Sequence, residues 1–181
     1  TPKILDMFLS ERGYELSSFK EFKFRKKTHF FLSDGNNSIE PETVMDRYTF
    51  AFLKGLCYTE NCYSCQYATI ERVADLTLGD SWGSNLTDEE EDGISLMLAQ
   101  NSKGKELLEM AELHLEDVDL ENAINNNKQL KAPSQKPEQY DKFIKMLKKH
   151  KNFNKAVFYC YPKECIRQNI KAFLIKNKII K

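Results

Sequence analysis

Val73-Ala74-Asp75-Leu76-Thr77-Leu78-Gly79-Asp80-Ser81-Trp82-Gly83, then Gly93-Ile94-Ser95-Leu96-Met97-Leu98-Ala99-Gln100, then a helix signal from Lys103, decide the fold of this chain. Val73 to Leu78 reads as a strand that runs out at Gly-Asp, and Gly93 to Gln100 as a second strand. Lys103 to Leu113 carries Leu107, Leu108 and Met110 at helical spacing, and Leu115 to Leu120 reads as a further short strand. Strand, loop, strand, helix, strand is the alternation of an α/β layer. The acidic run Asp88-Glu89-Glu90-Glu91-Asp92 falls between two of its strands and reads as a solvated loop.

Upstream, Ile4, Leu5, Phe8 and Leu9 recur at helical spacing until Gly13, so residues 2 to 12 read as a helix, with Thr1 as N-cap and Pro2 at the first helical position. Phe19 to Arg25 and His29 to Leu32 read as short strands, the second ending at Asp34-Gly35-Asn36-Asn37. Pro41 to Leu56 returns to helical spacing through Val44, Met45, Tyr48, Phe52, Leu53 and Leu56, and delivers the chain to Cys57. Downstream, Asn125 to Pro137 is a polar, proline-marked connector, followed by lysine-rich helices at 138–150 and 162–177. The expectation is an α/β fold, a mixed sheet layer with flanking helices and a lysine-rich helical C-terminal tail. Residues 1–130 form its body and carry the cysteine loop; residues 131–181 form a basic helical tail packed on it or extending from it.

The chain has 181 residues and no formal net charge, but the charge is segregated. Residues 131–181 carry 14 Lys or Arg against 3 Asp or Glu, and residues 1–130 carry 13 against 24. Lysines interleaved with Phe143, Ile144, Met146 and Leu147 describe the wet face of an amphipathic helix, so nucleic acid is disfavoured as a partner. No stretch has the roughly 20 apolar residues of a membrane span, and Thr1 to Leu5 does not resemble a signal peptide. The absence of an initiator Met suggests a piece of a longer protein.

Cys57, Cys62 and Cys65 lie within nine residues, and an odd total of five cysteines does not suit a disulfide framework. A reducing, cytoplasmic location is expected. Three thiols so close in sequence converge on one soft metal at little loop-closure cost. The x4, x2 spacing occurs in plant-type ferredoxins, whereas structural zinc sites draw four ligands from two paired knuckles. An iron-sulfur cluster is the expected occupant, with zinc and plain structural thiols as alternatives. Cys160 and Cys165, beside Phe158 and Ile166, read as core thiols first and fourth ligands second. His29, His114 and His150 suggest no nucleophile and base pair. Asn101-Ser102-Lys103-Gly104-Lys105 lacks the glycines of a nucleotide loop and reads as a helix start capped by Ser102. Asp80 and Trp82 stand where a strand ends in Gly-Asp, at an edge suited to a ligand or to a simple turn.

Phe24-Arg25-x-Lys27, the cysteine triplet, Arg72-x-x-Asp75-x-Thr77-x-Gly79-Asp80-x-Trp82-Gly83, Gly93-Ile94-Ser95 and Lys103-Gly104 together resemble, over roughly residues 1–150, the C-terminal region of the coenzyme F-420 hydrogenase and dehydrogenase beta subunits. The resemblance implies an iron-sulfur flavoprotein oxidoreductase. In it, electrons pass between a 4Fe-4S cluster, FAD and a deazaflavin-type or other acceptor. It implies Cys57, Cys62 and Cys65 as metal ligands, a fourth ligand and most of the FAD site from sequence upstream, and a redox partner protein or an N-terminal ferredoxin-like domain of the same chain. By proximity to the triplet, Arg72, Asp75, Asp80 and Trp82 are the cofactor-binding candidates, with Arg72 offsetting cluster charge. The alternative is a metal-stabilised, non-catalytic interaction module, such as an accessory protein of polysaccharide biosynthesis.

Overall fold

The structure is a computed structural model that describes residues 2–19, 21–26, 29–33, 38–41, 43–84 and 93–180. It is mixed α/β, as the sequence predicts, with eight α-helices and four strands among the described residues. The strands pair as two separate antiparallel ladders, each of two strands. The acidic run at 88–92 lies outside the described residues, as does the turn at 34–37. The chain divides into two compact units, one made of residues 1–59 and 135–181, the other of residues 60–134.

The first unit holds α1 (Pro2–Ser10), β1 (Lys23–Lys26), β2 (His29–Ser33), α2 (Arg47–Leu53) and three later helices. Gly13 closes the first helix in the left-handed region, at φ +77°. The helix expected over 41–56 is shorter, because Asp46 adopts an extended conformation and caps α2. Its carboxylate accepts hydrogen bonds from Thr49 N (2.9 Å), Thr49 Oγ1 (2.6 Å) and, from β2, Leu32 N (2.8 Å). The residue is 1 % exposed. A side chain fixed by its own helix and by a strand fourteen residues earlier sets both the start and the position of α2.

The second unit follows in the chain and holds α3 (Glu60–Tyr63), β3 (Leu76–Asp80), β4 (Ser95–Ala99), α4 (Ser102–Met110) and α5 (Leu120–Asn126). β3 and β4 pair without interruption from Leu76 opposite Ala99 to Asp80 opposite Ser95. The pleat puts Leu96 and Leu98 on the face with Thr77 and Gly79, against a small core of Ala123 and Leu130 with Ile70 and Ile124 around it. Residues 115–120 form no strand. Leu115, Val118 and Leu120 are each more than 40 % exposed, and a strand with no neighbour to pair has nothing to hold it. α5, capped by Asp119, takes in only the first two residues of the connector expected at 125–137; beyond it there is one short turn at Lys128–Leu130 and then irregular chain. The cap of α4 is Asn101 rather than Ser102: its Oδ1 accepts from Gly104 N at 3.0 Å.

The C-terminal segment returns to the first unit as α6 (Tyr140–His150), α7 (Phe153–Cys160) and α8 (Pro162–Lys176). The sequence predicts the first and last of these; α7 is additional. Lys151 makes the left-handed turn out of α6, and the Asn152 side chain accepts from Lys155 N at 2.8 Å to start α7. Glu11, just beyond α1, accepts from Phe153 N, from Asn154 N (3.1 Å) and from Asn154 Nδ2 (2.7 Å), so α1 also caps α7. The core of the first unit lies between these helices. Phe8 meets Phe153 edge-on at 5.5 Å between ring centroids, and Phe143 meets Phe153 at 5.9 Å. Leu9, Leu32, Tyr48, Ala51, Leu56 and Val157 are among the residues packed around them.

Candidate functional site

Cys57 is delivered by a helix, as the sequence predicts, but the helix ends before it. α2 stops at Leu53, and Gly55 turns into the left-handed region at φ +79° while Leu56 N reaches back to Ala51 O (2.9 Å). This closing pattern folds the chain back onto its helix. Leu56 and Cys57 are therefore carried into the core, at 0 % and 1 % exposure. Burial pushes the Cys57 thiol up to about 12. Cys62 sits on α3 and Cys65 just after it; both are half-buried, and Cys65 O closes a turn to Ala68 N at 3.2 Å. Cys160 and Cys165 are buried, and burial raises both thiols.

These surroundings predict unequal reactivity. In metal-free protein at pH 8, iodoacetamide is expected to modify Cys62 and Cys65 at least about tenfold faster than Cys57, Cys160 and Cys165, because the thiolate is the nucleophile and buried thiols are kept protonated. Peptide mapping by mass spectrometry checks this. Equal labelling of Cys57 and Cys62 in folded protein would overturn the placement of Cys57.

Arg72, Asp80 and Trp82 are brought together around one cavity of about 310 Å³. Its walls are Thr77 to Asp80 of β3, Leu96 and Leu98 of β4, and Asn127, Gln129 and Leu130 beyond α5. Arg72 is held by carbonyls: Nε donates to Thr69 O (3.0 Å) and Nη2 to Gln129 O (3.2 Å). Gln100 fixes the backbone beneath it, Nε2 donating to Ile70 O (3.0 Å) and Thr77 Oγ1 (3.2 Å) while Oε1 accepts from Arg72 N (3.3 Å). A cation anchored on the far end of its own fork points at a fixed place without needing a carboxylate partner.

Trp82 lines this cavity and a second, smaller one of about 100 Å³ formed with Glu116 to Asp119 and Asn122. It is 40 % exposed and so does more than fill a core gap. Its position is set by Gly83, at φ +75°, whose carbonyl accepts from Asn122 Nδ2 at 2.6 Å. A Cβ on Gly83 would fall 2.3 Å from Asn126 Nδ2, a side chain held by Asn122 O and Oδ1 at 2.9 Å each. Asn122, Asn126 and Asn127 are the site residues that sequence reading passes over. The signal was present: asparagines one helical turn apart, downstream of an unexplained Trp-Gly.

Asp75 stands elsewhere. It accepts from Asn101 Nδ2 (2.9 Å) and pairs with Lys103 (3.0 Å), contacts that lower its pKa, Asn101 first. Its carbonyl accepts from Gln100 N at 2.9 Å and lies where a Cβ on Gly104 would be, 2.1 Å away. The spaced pair Asp75 and Lys103-Gly104 is thus one joint, where α4 is seated against the start of β3.

A 4Fe-4S cluster requires thiolates grouped around it. Among the described residues no three His, Cys, Asp or Glu side chains stand together as a group able to hold a metal ion. The donor chemistry of the triplet suits iron and sulfide. The cavity at Arg72 and Trp82 is the size of a single ring system rather than of a whole FAD. Among the described residues no helix is long and apolar enough to cross a membrane.

No curated protein and no solved structure matches the chain. The family described as the C terminus of the coenzyme F420 hydrogenase/dehydrogenase beta subunit matches residues 1–122, a span that takes in the cysteine triplet, β3, β4 and the joint at Gly104 and ends within α5. That match covers more than half of the sequence and carries a redox identity: the chain belongs to the coenzyme F420 hydrogenase/dehydrogenase beta subunit family, of which it holds the C-terminal domain.

Proposed function

We propose that the chain is the C-terminal part of an iron-sulfur flavoprotein oxidoreductase that moves electrons between a 4Fe-4S cluster, a flavin and a deazaflavin-type or other acceptor. The observation that carries the reading is the family match over residues 1–122, which includes Arg72, Asp80 and Trp82 on one cavity. FAD, when bound, supplies the hydride and single-electron chemistry; most of its site belongs to sequence other than this chain. Within the chain, Trp82 offers an indole face and Arg72 a fixed positive charge to a planar, electron-rich ring, with Asp80 at the cavity edge. Leu96 and Leu98 keep one wall apolar. The partner is a redox protein or a ferredoxin-like domain on the same polypeptide. Cys62 and Cys65, both half-buried, are the thiols that would meet such a partner.

The test is anaerobic purification of the full-length parent protein, with iron, zinc, acid-labile sulfide and flavin counted per chain. Iron and sulfide at about four each, lost in Cys62→Ala, are the expected result. Zinc without sulfide would replace the redox reading by the metal-stabilised interaction module, and absence of both metals and flavin would leave the family likeness as one of fold.

A further inference from the structure

In the first unit, α8 is apolar on two sides. Its inner side buries Cys165, with Gln168 and Ala172 half-buried beside it. Ile166, Ile170 and Phe173, four and then three residues apart, share the far side, and all three are exposed, Ile170 to 54 %. Apolar residues at that spacing on an open helix face mark a surface built to be covered. Lys163, Arg167 and Lys171 run alongside, every fourth residue and each exposed. Lys171 Nζ donates to Thr43 O at 2.6 Å, whereas Lys163 and Arg167 have no carboxylate partner among the described residues.

The second unit carries a face of the opposite sign. α4 spends one side on the joint at Gly104, which is buried. Leu107 and Met110 of α4, and Leu113 just beyond it, are exposed, Met110 to 79 %. Glu106, Glu109 and Glu112 alternate with them, exposed and without a cationic partner among the described residues. The contrast extends to whole units. Residues 60–134 carry 16 Asp or Glu against 5 Lys or Arg, and residues 1–59 and 135–181 carry 11 against 22.

We propose that the chain self-associates head to tail: the Ile166, Ile170 and Phe173 face of α8 docks on the Leu107, Met110 and Leu113 face of a second copy, Lys163 and Arg167 meeting Glu106, Glu109 and Glu112. Burial of two apolar stripes drives the contact, and the flanking charges select the partner. Two α8 faces laid on each other would set Lys163 and Arg167 against their own kind, which opposes that pairing. An anionic lipid surface would attract α8 but repel the acidic residues 60–134. A second copy satisfies both faces at once, and it does so independently of the redox reading.

Sedimentation velocity of the chain over a range of loading concentrations tests this. An average mass that rises above the monomer with concentration is expected, the association weakening about tenfold between about 0.05 and 0.5 M NaCl as the exposed charges are screened. Ile170→Glu and Met110→Lys each change an exposed side chain, leave both cores untouched, and should each weaken self-association about tenfold or more. Mixed together, the two variants should associate again as a 1:1 pair, because the α8 face intact in Met110→Lys meets the α4 face intact in Ile170→Glu. A chain that is monomeric at every concentration, or a mixture that stays monomeric, would overturn the proposal. Loss in Ile170→Glu with none in Met110→Lys would replace it by α8 on α8. A monomer that instead sediments with phosphatidylserine vesicles would replace it by a lipid surface.

Discussion

Gly104→Ala is expected to abolish the cooperative unfolding transition of the second unit near room temperature. The added Cβ would lie 2.1 Å from the Asp75 carbonyl oxygen and 3.0 Å from its carbon. Backbone, unlike the end of a flexible side chain, has no rotamer to retreat into. Moving it breaks the Gln100 N to Asp75 O hydrogen bond that closes one end of the β3 and β4 ladder. The cost is on the order of 3 kcal/mol, against a gain of at most about 1 kcal/mol from replacing glycine in a helix. A core of three buried residues, Leu96, Ala123 and Leu130, has little stability to give up. Trp82, the single tryptophan, lies in this unit and reports its unfolding by fluorescence. Gly79→Ala is the control: nothing lies within 4 Å of its Cβ, and a change within about 0.5 kcal/mol is expected. A rise in the midpoint for Gly104→Ala would show that α4 is not seated on β3 in this way.

The second large effect is expected in the first unit, from Asp46→Ala. Removing the carboxylate strands Leu32 N and Thr49 N in the core and leaves the Thr49 hydroxyl without its acceptor. At about 1 to 3 kcal/mol for each buried backbone donor left unmet, the loss is roughly 3 to 5 kcal/mol, a large part of a small domain's total stability. Hydrogen exchange at Phe8 and Leu9, both fully buried, measures it. The same residue gives a pH signature. Burial raises its pKa above 3.8, with the Thr49 and Leu32 hydrogen bonds and the Arg12 charge pulling back. The folded state then holds the proton more tightly than the unfolded chain. The stabilisation from this group is full below pH 3.8 and is lost as pH rises through the folded pKa. The stability of the native protein relative to Asp46→Asn should accordingly decline across that window as pH rises. An increase would mean that the hydrogen bonds outweigh desolvation.

Where local pattern and tertiary structure agree, the sequence was enough. α1 and β4 are read from periodicity because each lays one apolar stripe against a core, and Gly13 ends α1 by a local backbone rule. The failures share a cause. α2 begins late because Asp46 is claimed by Leu32, a strand partner fourteen residues earlier that periodicity does not reveal. α7 gains part of its cap from Glu11, more than 140 residues away, and its buried stripe of Phe153, Ala156, Val157 and Cys160 is blurred in the sequence by the exposed Phe158 and Tyr159. α5 is rich in asparagine, a weak helix former, and its asparagines are spent on Gly83 and on the helix backbone. For the site, Arg72, Asp80 and Trp82 were legible as a group because one strand and its flanks carry all three. Asp75 belongs to the same stretch but serves the helix joint. The burial of Cys57 was not legible, because it is set by the turn at Gly55 that folds the chain back onto α2.

The first unit is assembled from both ends of the chain, residues 1–59 and 135–181, with the second unit threaded between them. For a nascent chain this inverts the usual order of events. α1 and the strand pair emerge before the second unit, yet Phe8, Leu9 and Tyr48 have no Phe143, Phe153 or Val157 to pack on until the segment after residue 135 has been translated. The middle unit, formed from one continuous segment, residues 60–134, can close meanwhile. Stalling or truncation before α7 therefore releases a polypeptide with one finished body and one unfinished, greasy end, which is the form that quality-control proteases and chaperones recognise.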